Sequence, residues 1–164
     1  MTEEQLQKFY AMAEPRSENA IRKAEERKMK RKDKELLLKD LCARLPYGVH
    51  IWTNDKKHLK LWSVEPDEND VYWVNGVYEV DEVKPYLRPM SSMTEEEREF
   101  LNKMALENSL KCIEEEDPQK VFLLRVKQDV EELAYLYEHH YDVNGLIPID
   151  CAIEVTEENN PYKD

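Results

Sequence analysis

Glycine is nearly absent from this chain: only Gly48, Gly76 and Gly145 occur in 164 residues. Phosphate-cradling loops need several glycines close together, so the P-loop and dinucleotide fingerprints are excluded. No Gly-x-Ser-x-Gly elbow is present either. Cysteine is scarce as well. Cys42, Cys112 and Cys151 are far apart, odd in number and without paired spacing. That argues against a disulfide framework and against a Cys-x-x-Cys metal site. Each has apolar neighbours, so each is expected to be a buried thiol acting as a small hydrophobe. No apolar run approaches the ~20 residues of a membrane span. The opening MTEEQLQKFY has no apolar signal-peptide core. A cytoplasmic protein without membrane contact is expected.

What the chain has in abundance is charge, with a formal net of −12. Such a balance repels phosphate and disfavours nucleic-acid binding by the molecule as a whole. The distribution is uneven. Between Arg16 and Arg44, 11 Lys/Arg stand against 6 Asp/Glu. A basic arm is joined to a strongly acidic body.

Thr2 and Gln5 form a capping-box pattern that predicts a short helix, residues 3–13. After Pro15, Ser17 caps a second predicted helix that can run to Leu45, since no Gly or Pro intervenes. Its end carries an apolar stripe of Leu37, Leu38, Leu41, Cys42 and Leu45, which predicts packing on a core. Residues 22–35 have only Ala24 and Met29 as apolar members. They have little to bury, so residues 1–34 are read as a charged helical arm.

From Pro46 the pattern changes. Residues 49–53, 59–64, 71–74 and 77–80 are rich in β-branched and aromatic residues, with turn signals between them. Asn75-Gly76, between VYWV and VYEV, is a two-residue hairpin signal. These segments predict one four-stranded antiparallel meander. Either it curls into a small SH3-like barrel, or helices cover one face while aromatics line the other. Val49, Ile51, Leu59, Leu61, Val71 and Trp73 share one phase of the alternation. Trp52, Trp62, Val64, Tyr72, Val74 and Tyr78 share the other.

The two prolines of Lys84–Pro89 exclude a helix interior. Thr94 and Glu97 form a capping box opening a helix that carries Phe100, Leu101 and Met104, with a break expected near Asn108. Asp117-Pro118 is read as the end of that unit. Residues 121–126 are a strand or a buried helix start. Val126, Val130, Leu133, Ala134 and Tyr137 make a helical stripe, expected to pack on the sheet. Asn144-Gly145 ends it, and residues 147–155 return as a closing segment. The fold class is therefore α+β: an arm over 1–34, one domain over 35–156, and a polar, frayed tail over 157–164.

Chemistry is harder to find. His139-His140 is the most tempting pair, but helical neighbours point about 100° apart and cannot easily share an ion. No His-x-x-x-His occurs, so no metal site is expected, and no cofactor. Cys112 or Cys151 could meet His139 or His140 in space, as in any chain with these residues. Carboxylate runs such as Glu95–Glu97 are usually solvated. No catalytic residue is assigned. Trp52, Trp62 and Trp73 on neighbouring strands offer an aromatic platform, with core packing as the plainer reading. Lys56, Lys57, His58 and Lys60 lie on one hairpin beside them.

Three segments look familiar together: ELLLKDLCARLPYGV at 35–49, EVKPYLRPMSSMTEEE at 82–97 and YDVNGLIPIDCAIEV at 141–155. The chain resembles a family of uncharacterised proteins from gut Bacteroidales bacteria and their phages, in the same order over residues 35–155. The resemblance implies no activity. It implies a phage or prophage accessory setting, by association only.

The expected function is non-enzymatic: a binding or adaptor protein acting by protein–protein contact or self-association. Its candidate binding residues are Arg22, Lys23, Arg27, Lys28, Lys30 and Arg31 on the arm, and Trp52, Trp62 and Trp73 on the sheet. The first alternative is a nucleic-acid-associated accessory protein using the arm and the Lys56–Lys60 hairpin. The second is an enzyme of unfamiliar design around His139 or His140.

Overall fold

The computed structural model describes residues 31–163 and divides the chain into two units, residues 1–36 and 37–164. In the first unit, residues 31–36 are helical, and Arg31 Nε pairs with Glu35 one turn on, at 3.1 Å. The predicted helices before residue 31, and the arm residues Arg22, Lys23, Arg27, Lys28 and Lys30, lie outside the described residues.

The second unit is α+β. It opens on α1 (residues 37–44), and a 3-10 turn at Leu45–Tyr47 leads to Gly48 at φ +62°. Seven short strands follow in chain order: β1 (His50–Thr53), β2 (His58–Lys60), β3 (Val64–Pro66), β4 (Tyr72–Val74), β5 (Tyr78–Glu79), β6 (Val83–Leu87) and, at the far end, β7 (Ile153–Glu154). Between β6 and β7 stand the two long helices, α2 (Glu95–Glu114) and α3 (Pro118–Glu138). Among the described residues no helix is long and apolar enough to cross a membrane.

The single meander expected over residues 49–80 is not formed. The strands make two sheets, one ordered β2-β1-β6-β7 and one ordered β3-β4-β5. β7 runs parallel to β6, and the other pairings are antiparallel. Each sheet keeps two edges, so the strands do not close into a barrel. The break falls between β2 and β3, and Asn75 accounts for it. Its side chain accepts from Trp62 N (2.9 Å) and Ser63 N (3.3 Å) and donates to Lys60 O (2.9 Å). A continuous ladder would have had to satisfy those groups; an amide from the β4–β5 turn does so instead. Asn75 and Gly76 both sit at positive φ, as the hairpin signal requires, but the loop spans three residues because Val74 pairs with Tyr78.

The core lies between α1, the first sheet and the segment after α3. Leu37, Leu41, Ile51, Leu61, Leu87 and Leu146 are buried in it. β1 and β6 alternate as sequence periodicity predicts: Ile51, Thr53, Val83, Pro85 and Leu87 face inward. In the second sheet the phase is reversed. Val74 and Tyr78 are buried, while Trp73 is only half-buried and donates from Nε1 to Asp67 at 3.0 Å. Cys42 is exposed, contrary to expectation, because Asp40, Leu41 and Arg44 take the inward side of α1; Cys112 and Cys151 are half-buried.

A fully buried ion pair anchors α1. Arg44 Nε meets Asp40 Oδ2 at 2.6 Å and Arg44 Nη2 meets Oδ1 at 3.0 Å. Nη2 also donates to Tyr141 O (2.6 Å), and Asn144 donates to Asp40 Oδ1 (2.9 Å). The guanidinium lies 4.8 Å from the Tyr137 ring centroid. A second network fixes the base of α2. Arg88 grips Glu97 with two hydrogen bonds of 2.8 and 2.9 Å, Tyr141 donates to Glu97 at 2.6 Å, and Arg88 lies over the Tyr141 ring. Together these hold the Glu97 carboxyl well below the usual range, with the Arg88 hydrogen bonds the chief cause.

The C-terminal segment is not frayed. The Tyr162 hydroxyl accepts from His50 N at 3.1 Å and donates to Tyr86 O at 2.8 Å, tying the segment to β1 and β6. Its polar composition hid one aromatic anchor.

Candidate functional site

The helices α2 and α3 form a hairpin with an unusual property: neither contains a buried residue. Their ends are well made. Thr94 accepts from Glu97 N while Glu97 accepts from Thr94 N, closing the capping box. Asp117 accepts from Gln119 N, with Pro118 at the first helical position, so Asp117-Pro118 starts α3 rather than ending a unit. Residues 121–126 are therefore helical. No break occurs at Asn108, whose amide donates to Glu131 of α3 at 3.4 Å. Phe100 stacks on Tyr135 at 5.0 Å.

Those contacts define the inner faces. The apolar residues on the outer faces are left in solvent. At 100° per residue, Leu106 and Leu110 of α2 lie roughly 160° round from Asn108. Val126 of α3 lies roughly 180° from Tyr135, and Val130 roughly 140°. On α2, Leu106, Leu110 and Ile113 are exposed. On α3, Phe122, Leu123, Val126, Val130 and Leu133 are exposed, Val130 by 60%. The expected packing of Val130 and Leu133 on the sheet is thus wrong. The stripe is real, but only its last member, half-buried Tyr137 beneath Arg44, meets the body.

The α3 stripe has a definite spacing. Leu123, Val126, Val130, Leu133 and Tyr137 are separated by three and four residues in alternation, which is the seam of a left-handed helix pair. The charges of the helix are divided along its length. Lys120, Arg125 and Lys127 fall in its first half, and Asp129, Glu131, Glu132 and Glu138 in its second. Lys127 is 3.7 Å from Glu131 across the boundary.

The tryptophans do not make one platform. Trp52 is half-buried on β1, Trp73 is half-buried on β4 in the other sheet, and Trp62 is 68% exposed on the link between sheets. Core packing was the plainer expectation for all three, and none is buried. Trp62 instead lines a cleft of about 500 Å³ with Lys57, Lys60 and Val77. Lys57 there is held by Asp55 at 2.7 Å, which draws the Asp55 carboxyl down to about 2, helped by Thr53. Arg31 is exposed.

His139 and His140 diverge, as helix geometry dictates. His139 stacks on Tyr135 at 4.0 Å, at the end of α3. His140, at φ +60°, turns into the body and stacks on Tyr162 at 3.9 Å with an unpartnered, buried Nδ1. Burial, then the cations Arg44, His50, His139 and Arg88, pulls its pKa down to about 4. Both line a cleft of about 720 Å³ with Arg88, Thr94, Asn160 and Lys163. Among the described residues no group of three His, Cys, Asp or Glu is placed to hold a metal ion.

Sequence reasoning placed His58 on a basic hairpin but missed its pairing with His50. The β1–β2 turn brings His50 and His58 together, with Nδ1 of the first 3.0 Å from Nε2 of the second. Tyr162 meets the His50 ring edge-on at 5.2 Å, and Tyr86 meets His58 at 5.3 Å. Two histidines eight residues apart carry no local signal; only alternation on two paired strands would have placed them on one face.

Comparisons with family models, curated proteins and solved structures return no match.

Proposed function

We propose that this is a non-enzymatic binding protein acting by protein–protein contact through the α2–α3 hairpin. The observation that carries the reading is the α3 stripe: four large apolar side chains, Leu123, Val126, Val130 and Leu133, left in solvent at coiled-coil spacing on a helix with no buried residue. Exposed apolar surface organised this way marks an interaction face rather than scattered surface residues. A helix suits the seam, and its direction follows from charge. A mate running antiparallel sets an acidic half beside Lys120, Arg125 and Lys127, and a basic half beside Asp129, Glu131 and Glu132. A second copy of this chain meets that specification by two-fold symmetry, with Leu123 opposite Leu133 and Val126 opposite Val130. A phage or prophage setting rests on the sequence resemblance alone.

Sedimentation equilibrium tests the reading. The full chain should be dimeric, and Val126→Glu with Val130→Glu should give a folded monomer. A monomer at high micromolar concentration, or a dimer indifferent to Val130→Glu, overturns it.

A second reading has one observation behind it. Exposed Trp62 beside Lys57 and Lys60 is the minimal pattern for stacking a base next to phosphate contacts. Oligothymidylate should then quench Trp62 fluorescence at low salt, and salt should reverse it. No quenching, or quenching retained in Trp62→Phe, rejects this reading.

A further inference from the structure

We propose that His50 and His58 form a two-histidine site for a divalent transition-metal ion, with water completing its shell. The geometry is the argument. Two imidazoles bound cis to one ion, at ~2.1 Å and a right angle, bring their nitrogens ~3.0 Å apart and their ring centroids ~4.6 Å apart. A linear hydrogen bond between imidazoles at the same nitrogen separation puts the centroids ~5.3 Å apart. Here the nitrogens are 3.0 Å apart and the centroids 4.8 Å, with a ring tilt of 35°. The centroid separation is nearer the cis-ligand value than the linear one, as expected where two lone pairs converge to one side. A proton shared between the rings holds that place, and a metal ion displaces it.

The surroundings fit. The two rings come from paired strands, so backbone hydrogen bonds fix their separation. Tyr162 and Tyr86 hold the rings by edge contacts, as outer groups orient metal-bound histidines. Lys60, cross-strand from His50, lies along Gly48. His58 is exposed, so an ion has access and room for its waters. Among the described residues no third His, Cys, Asp or Glu stands by, which makes this an open site. The near-right angle and nitrogen ligation favour Ni(II) or Cu(II) over tetrahedral Zn(II), whose ligand nitrogens stand ~3.3 Å apart.

The test titrates the full-length chain with Ni(II) alone, by calorimetry and thermal unfolding at pH 7.5. One ion per chain and a raised melting temperature are expected, with Zn(II) weaker than Ni(II). His58→Ala, at an exposed position, should weaken Ni(II) binding at least about tenfold, and so should His50→Ala. His139→Ala should leave it unchanged, which separates this site from other histidines; the three cysteines remain in every variant. No Ni(II) binding, or equal binding by His58→Ala, overturns the proposal.

Discussion

Tyr162→Phe isolates what one hydroxyl does for this fold. β1 and β6 pair antiparallel from Ile51↔Pro85 inward to Thr53↔Val83. One residue further out, at His50 and Tyr86, the Tyr162 hydroxyl bridges the strands, accepting from one backbone group and donating to the other. Phenylalanine keeps the stack on His140 and the edge contact with His50, and removes only the bridge. It strands one N–H and one C=O, each at about 1–3 kcal/mol when buried. Both are part-buried here, so the sum should be about 2–4 kcal/mol. Urea unfolding followed by tryptophan fluorescence should show an unchanged slope and a midpoint lowered by about 1–2 M, given slopes of about 1–3 kcal/mol/M. A shift below about 0.3 M would refute the reasoning, since it would mean that solvent satisfies both groups equally well.

Three further outcomes are expected. His140 has a folded pKa of about 4 against an ordinary 6.5, so the unfolded chain holds more protons between those values. Stability from this residue should be complete above pH 6.5 and fall as pH drops toward 4, by at most about 3 kcal/mol; urea midpoints at pH 7.5 and 5 check this, and His140→Gln should flatten the difference. Asn75→Ala leaves Lys60 O, Trp62 N and Ser63 N without their partner and should cost about 2–4 kcal/mol by the same measurement. Asp40→Ala leaves the Arg44 guanidinium buried without its carboxylate and should cost about 3–5 kcal/mol, whereas exposed Glu35→Ala should cost under about 1 kcal/mol.

Where sequence reading succeeded, the deciding interaction spans a few residues. The Thr94–Glu97 box, the Asn75-Gly76 turn and the alternation of β1 are each satisfied within one turn or one strand. Asp117-Pro118 belongs to that class too, and was misread because a Pro that stops one helix is also the preferred first residue of the next. Tyr162, the His50–His58 pair and the split of the sheets escaped detection for a different reason. Each depends on partners between eight and 112 residues away, and no local pattern encodes which partner is chosen.

The helical stripe of α3 lies between these cases, and it is the most instructive. Its periodicity was legible, and so was the demand that it be covered. What covers it was assigned to the sheet on the assumption that apolar stripes seek their own core. The hairpin instead satisfies its ends with caps and its inner faces with one another, and is joined to the body through Arg88, Glu97, Tyr137 and Tyr141 at its base. Nothing in that scheme requires Leu123, Val126, Val130 or Leu133 to be apolar; a polar outer face would hold the hairpin as well. Burying four such side chains elsewhere is worth on the order of 1.5–3 kcal/mol each, offset by the cost of association. That surplus is unused in the isolated chain, and on the proposed reading it is what a helical partner would draw on. On that reading the division of charge along α3 would add direction, because a parallel mate would align like with like.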